Sequence, residues 1–114
     1  MKIIKKNETN AFSNSPVCSG FSYPLGSKAL DIAVVTVDGR YPAKGHLLNE
    51  VSLEIAYVLN GTGHIGIDDQ MHDLSPGDAV MINPGERFYW EGNALEMLMP
   101  CTPAFSPAQH KEVA

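Results

Sequence analysis

The stretch from Glu54 to Phe88 decides the fold, and it contains EIAYVLNG at residues 54–61 and GDAVMINPGERF at residues 77–88. Each segment holds a short apolar run; the first run ends in an Asn-Gly pair and the second leads into a Pro-Gly pair. Such pairs mark tight turns, in which glycine accepts the positive φ that other residues avoid. A short apolar run bounded by turns is typical of a β-strand, so both segments are predicted to form strands.

Short strands separated by turns are predicted along most of the chain. No segment keeps an apolar period of about 3.6 residues over the length of a helix, and turns recur about every eight to twelve residues, which is typical of an all-β sandwich or barrel. Asp38-Gly39 is predicted to end one strand and Asn60-Gly61 another. The chain of 114 residues has room for one core, so a single domain is predicted. The predicted strands span residues 2–5, 29–37, 52–59, 63–67, 71–74, 79–82, 87–90 and 95–99.

The two segments resemble the two signature motifs of the cupin family. In that family the first motif ends in a Glu, six further residues and a Gly, as do Glu54 and Gly61 here. The second motif opens with Gly-Asp, as at Gly77-Asp78. The resemblance implies a small jelly-roll β-barrel. The implied domain has a barrel core, an N-terminal arm and a C-terminal tail, at residues 29–100, 1–28 and 101–114.

The metal ligands of the cupin family are a His-x-His, a Glu three or four residues later and the His that closes the second motif. With Glu54 taken as the Glu, one register of the resemblance puts Leu47 and Asn49 in the first two His positions. The other register puts Leu48 and Glu50 there. Neither register offers the imidazoles that, with a carboxylate, suit Fe, Mn, Ni, Cu or Zn.

The last His position of the family holds Phe88, so three of the four ligands are missing and no metal cofactor is predicted. A bulky ring at this position would also fill the space that a metal needs. The alternative is a β-bulge that rotates His46 inward and leaves a site of His46, Glu50 and Glu54. His110 lies in the tail and is predicted to be solvated.

The resemblance makes the interior of the barrel a predicted ligand cavity. A small β-barrel commonly binds a ligand at its mouth, between apolar or aromatic walls and a few polar groups. Phe88 and Trp90 are two residues apart and therefore share one face of their strand. The alternative for these two aromatic residues is a place in the ordinary core. The predicted pocket residues are Leu47, Asn49, Glu54, Val58, Phe88 and Trp90.

Glu54 is the candidate catalytic residue. A carboxylate inside a barrel is costly unless it has a partner or a raised pKa. Glu54 would act as a general base or as the hydrogen-bond acceptor for a ligand hydroxyl. The alternative is a structural carboxylate that a tyrosine or a backbone amide satisfies.

Composition and charge exclude several classes of protein. Hydrophobic residues make up 44% of the chain, which is normal for a globular protein and too high for a disordered one. The net charge of -5 argues against nucleic acid and anionic membranes as partners. No apolar run approaches the roughly 20 residues of a membrane helix, and no secretory signal follows the first lysines. Cys18 and Cys101 have no Cys-x-x-Cys spacing, so a cytoplasmic location is predicted and a disulfide between them is left open.

A homodimer is predicted, because small cupins commonly pair and both ends of the chain carry apolar residues outside the motifs. The alternative is that these residues fold back over their own barrel. They are Phe12, Val17, Phe21 and Tyr23 in the arm, and Pro103, Ala104 and Phe105 in the tail.

Three functions are open at this point. The first is a cupin that binds a small molecule without metal. The second is a metal-dependent cupin enzyme, such as a small dioxygenase, with an atypical ligand set. The third is a metal-free isomerase or cyclase that uses Glu54. The cupin family spans dioxygenases, isomerases, sugar-binding modules and storage proteins, so the fold alone does not choose among them.

Overall fold

The computed structural model describes residues 1–114 and consists of nine β-strands in one sheet. Strands account for 61% of the residues and helix for 5%, so the all-β prediction is confirmed. Helical structure is limited to two 3₁₀ turns, Lys6–Glu8 and Pro107–Gln109, and no helix could cross a membrane. The strands are β1 (Asn10–Ser15), β2 (Cys18–Ser22), β3 (Asp31–Tyr41), β4 (His46–Asn49), β5 (Leu53–Ile67), β6 (Gln70–Leu74), β7 (Ala79–Ile82), β8 (Phe88–Thr102) and β9 (His110–Val113).

The long strand β8 organises the sheet. It pairs antiparallel with β3 and with β5 over most of its length, and with β4 at its beginning. The remaining strands extend these partners: β2 and β1 follow β3, β9 follows β4, and β6 and β7 pair with β5. The sheet curls, and alternate side chains of β8 face a common core in which Leu95, Met97 and Met99 are buried.

Two of the predicted turns are irregularities inside continuous strands. Asp38-Gly39 lies within β3, whose register with β8 shifts between Val37 and Gly39. Asn60-Gly61 lies within β5, where the register also shifts. The prediction that these pairs end strands is therefore wrong, because the positive φ of each glycine, 132° and 77°, serves a bulge in place of a reversal.

The predicted strands 87–90 and 95–99 are one strand, β8. Ala94 has a φ of 48° and marks an irregularity at the point where a break was predicted. The predicted strands 63–67 and 71–74 are present as the end of β5 and as β6, and they form a hairpin whose turn residues Asp68 and Asp69 have positive φ. The predicted strand at residues 2–5 is absent.

Both ends of the chain belong to the sheet. The arm contributes the β1–β2 hairpin, which pairs with the edge of β3. The tail contributes β9, which pairs with β4 so that Asn49 lies opposite His110. Phe12 of the arm and Phe105 of the tail both line the interior cavity of their own chain.

Candidate functional site

A cavity of about 360 Å³ opens inside the curled sheet. This volume falls in the lower part of the range for small-molecule pockets. Of its 18 lining residues, 12 are hydrophobic, so the few polar groups stand out against an apolar wall. The aromatic part of the wall is Phe12, Tyr41, Phe88, Trp90 and Phe105.

Four of the six predicted pocket residues line this cavity. Leu47, Glu54, Phe88 and Trp90 all contribute to its surface. The rings of Phe88 and Trp90 meet edge to face, with centroids 5.8 Å apart, and so form one rigid wall. Both are also almost fully buried, so they serve the core and the cavity together.

The other two predicted pocket residues lie away from the cavity surface. Asn49 is buried directly behind Glu54, and its Nδ2 donates a hydrogen bond of 3.2 Å to Glu54 Oε1. Val58 is part of the packed core, and its backbone lies opposite Met97 of β8.

The residues at the family's metal positions do not fit a transition metal. Leu47 and Phe88 lie directly opposite each other in the β4–β8 pair and are each 1% exposed, so apolar side chains occupy two of the four positions. The remaining two, Asn49 and Glu54, bond to each other. The chain has no group of three or more His, Cys, Asp or Glu side chains that could hold a metal ion.

The alternative site of His46, Glu50 and Glu54 does not form. Leu47 points into the cavity, and the neighbouring His46 packs on the opposite face of the strand, with its ring centroid 5.9 Å from that of Tyr89. Glu50 is exposed and lies 3.8 Å from Lys111. No bulge interrupts β4, so nothing rotates His46 inward.

A chain of hydrogen bonds runs from the cavity wall to Glu54. The Tyr41 hydroxyl lies 3.3 Å from His110 Nε2, and His110 Nδ1 lies 2.9 Å from Asn49 Oδ1. Asn49 then donates to Glu54, as described above. These hydrogen bonds connect one residue from each of β3, β4, β5 and β9, and three of the four residues line the cavity.

The donors and acceptors in this chain can be ordered. Because a carboxylate only accepts, the Asn49 amide must turn its NH₂ toward Glu54 and its oxygen toward His110. A neutral His110 then carries its hydrogen on Nδ1, and Nε2 accepts from the Tyr41 hydroxyl. Asn49 holds Oε1 of Glu54, so Oε2, which has no hydrogen-bond partner in the protein, is the oxygen available to a ligand.

Burial sets the protonation of the site. Desolvation raises the pKa of Glu54 to about 7, against the opposing effect of the Asn49 hydrogen bond, and the nearby Asp31 raises it further. Burial lowers the pKa of His110, which is therefore neutral at pH 7. Burial also raises the pKa of Cys101 to about 11, so this thiol is not a nucleophile at neutral pH. Both Cys18 and Cys101 are free thiols.

Three polar residues of the site were not among the predicted ones. The prediction that His110 is solvated is wrong, because β9 pairs with β4 and carries the imidazole against Asn49. Tyr41 and Asp31 stand at the two ends of β3 and both line the cavity. The sequence carries only a weak signal for β9, whose one β-branched residue is Val113, and no signal for its pairing partner.

Comparison with known proteins agrees with this architecture. Residues 33–99 match the sequence profile of the Cupin domain. No curated protein matches the chain in sequence. The chain is similar in structure to Pac13, a nucleoside dehydratase, at 19% identity and a TM-score of 0.86, over 99% of this chain and 91% of that chain. A point variant of Pac13 from Streptomyces is known with uridine.

Two further solved structures share the fold. KdgF from Halomonas sp. is 16% identical with a TM-score of 0.76, over 95% of this chain and 98% of that chain. Ectoine synthase from P. lautus is 14% identical with a TM-score of 0.68, over 90% of this chain and 80% of that chain. At these identities the likeness concerns the fold alone, and the predicted cupin-like jelly-roll fold is confirmed.

Proposed function

The chain belongs to the cupin family, and we propose that it is a metal-independent member that binds a small organic molecule beside Glu54 and exchanges a proton with it. The observation that carries the proposal is the position of Glu54. Its carboxyl group lines an apolar cavity, Asn49 holds one oxygen, and the other oxygen has no partner in the protein.

The protonation of Glu54 suits it to both directions of proton transfer. With a pKa of about 7, the carboxyl group is present in both forms near neutral pH, which is where an acid–base catalyst is most effective. Because Asn49 donates to Oε1, the neutral form carries its proton on Oε2. The ionised form accepts a proton from the ligand at Oε2, and the neutral form returns it there.

The hydrogen-bond chain behind Glu54 has a positioning role. His110 fixes the orientation of the Asn49 amide, and Tyr41 fixes the His110 tautomer. Glu54 therefore presents Oε2 in one orientation without reorganisation during the reaction. The overall likeness to a nucleoside dehydratase supports a reaction of this type, and it makes uridine the first compound to test.

The experiment follows binding and proton transfer separately. Trp90 is the single tryptophan and lines the cavity, so its fluorescence reports occupancy. Protein treated with a chelator is titrated with uridine and with any small molecule that co-purifies and is identified by mass spectrometry. We expect saturable binding that Glu54→Gln weakens by about tenfold, the loss of one charge-assisted hydrogen bond.

Proton transfer is then measured in heavy water as exchange of a carbon-bound hydrogen of the bound molecule, followed by NMR. We expect exchange in the wild-type protein, none in Glu54→Gln, and unchanged exchange in Glu50→Gln, which alters an exposed carboxylate on the same segment. Binding that requires added metal would contradict the proposal, as would exchange that survives Glu54→Gln.

A further inference from the structure

The cavity is lined by acidic side chains but by no lysine or arginine. Two carboxyl groups line it, those of Asp31 and Glu54, and the chain's eight lysines and arginines all lie elsewhere. Arg40, close in sequence to Tyr41, stacks on the outer face over Tyr89 at 4.1 Å and donates to two backbone carbonyls of its own loop. The only basic side chain at the cavity is the His110 imidazole, which is neutral.

This inventory is unfavourable for an anionic ligand. Phosphate and carboxylate groups are normally held by arginine, lysine or clustered backbone N–H groups. An anion here would face two carboxyl groups across an apolar space, where charge repulsion is stronger than in water. It would also lose its hydration without gaining a positive partner, which is costly.

The same inventory suits a ligand that donates hydrogen bonds. Glu54 Oε2 is an acceptor without a protein partner, and one oxygen of Asp31 accepts from the Phe105 backbone N–H at 3.0 Å while the other is free. Asp31 of β3 and Glu54 of β5 both lie opposite Cys101 of β8, and the charge of Asp31 contributes to the raised pKa of Glu54, so the two carboxylates repel each other when both are ionised. A ligand amine or hydroxyl between them would relieve that repulsion.

The aromatic wall adds a requirement on shape. Phe88 and Trp90 form a rigid edge-to-face pair, and Phe12 and Phe105 contribute from the arm and the tail. Aromatic faces favour a flat apolar body, and they also attract cations.

Resting on the proposed function, we propose that the ligand is a small amine or alcohol with a flat apolar body and no anionic group, which donates to Glu54 and Asp31. The inference names the class of substrate and sets an order of affinity. An amine binds at least as tightly as the matching alcohol, and the matching carboxylate binds much more weakly.

The test uses three probes of similar size: 2-phenylethylamine, 2-phenylethanol and phenylacetate. Binding is followed by Trp90 fluorescence at pH 8, where Glu54 is mostly ionised. We expect the amine and the alcohol to bind at least about tenfold more tightly than phenylacetate, equivalent to about 1.4 kcal/mol. In the double variant Asp31→Asn with Glu54→Gln, the three affinities should converge to within about threefold.

The control variant is Glu50→Gln, which removes a negative charge outside the cavity and should leave the tenfold preference intact. If phenylacetate binds the unmodified protein as tightly as 2-phenylethanol, the inference is wrong while the proposed function stands. If none of the probes and no uridine binds, both are wrong. The three-probe comparison needs no variant, so it decides the inference even if the double variant does not fold.

Discussion

Glu54 should make the stability of this protein fall as the pH rises from 5 to 8. Its pKa is about 7 in the folded protein and 4.5 is the ordinary value, so the unfolded chain releases this proton first. When folding raises the pKa of a group, the group stabilises the protein fully at a pH below its pKa in the unfolded chain. This stabilisation is lost as the pH rises through the pKa of the group in the folded protein. The window of the loss therefore lies between about pH 4.5 and pH 7.

The size of the loss follows from the two values. At about 1.4 kcal/mol for each tenfold change in proton affinity, the full difference is about 3 kcal/mol. Some ionisation of the unfolded chain has already occurred at pH 5, so about 2–3 kcal/mol is lost between pH 5 and pH 8. Glu54→Gln keeps the shape and the acceptor for Asn49 but cannot ionise, so this variant lacks the loss.

The assay is urea unfolding of the wild type and Glu54→Gln at both pH values. The quantity compared is the urea midpoint of the variant minus that of the wild type. We expect this difference to increase by roughly 1–2 M urea from pH 5 to pH 8. Asp31, His110 and Cys101 surround Glu54, but they are present in both proteins and largely cancel in the difference. Glu50→Gln is the control, because this carboxylate is exposed and its partner is a surface lysine. A midpoint difference that is the same at both pH values would refute the reasoning.

Three further predictions concern metal, the hydrogen-bond chain and assembly. Elemental analysis of the untagged protein should find no stoichiometric transition metal, and one equivalent of Fe, Mn, Ni or Zn that disappears in Glu54→Gln would contradict this. His110→Phe leaves the buried Asn49 oxygen without a donor, so urea unfolding should show a loss of about 1–3 kcal/mol, whereas no loss would mean that the contact is dispensable. Light scattering should give a dimer mass, because Tyr57 and Met81 are 43% and 58% exposed on adjacent strands of the outer face. Met81→Lys should then shift the mass toward the monomer, and a monomer mass for the wild type across the micromolar range would end the dimer prediction.

Much of the barrel was predictable from local chemistry. The alternation of apolar runs and turns predicts an all-β chain. The inward position of Glu54 on β5 was predicted by the resemblance to cupins and not by the local pattern. The two-residue period of a strand puts Phe88 and Trp90 on one face of β8, and both line the cavity together with Leu47.

The rest depends on contacts that no local pattern encodes. Whether Asn60-Gly61 reverses the chain or bulges it depends on the strand opposite, β8, which continues past it. The partner of Asn49 is His110, 61 residues away in sequence, and that contact exists because β9 adds to the edge of β4. His110 lies three residues after Pro107 in a polar tail, and nothing in that local sequence indicates that it pairs with Asn49.

The docking of β9 has a consequence for the motions of the native protein. This strand has four residues, pairs on one side only, and forms an edge of the sheet, so it belongs to the part of the structure that opens at the lowest free energy. We expect a brief detachment of β9 to remove His110 from Asn49 and to admit water beside Glu54, which would bring the pKa of this carboxyl group closer to its ordinary value. Amide hydrogen exchange at β9 and the pKa of Glu54 should therefore both depend on the equilibrium between docked and detached β9. A bound ligand that restrains the strand would slow the exchange and raise the pKa.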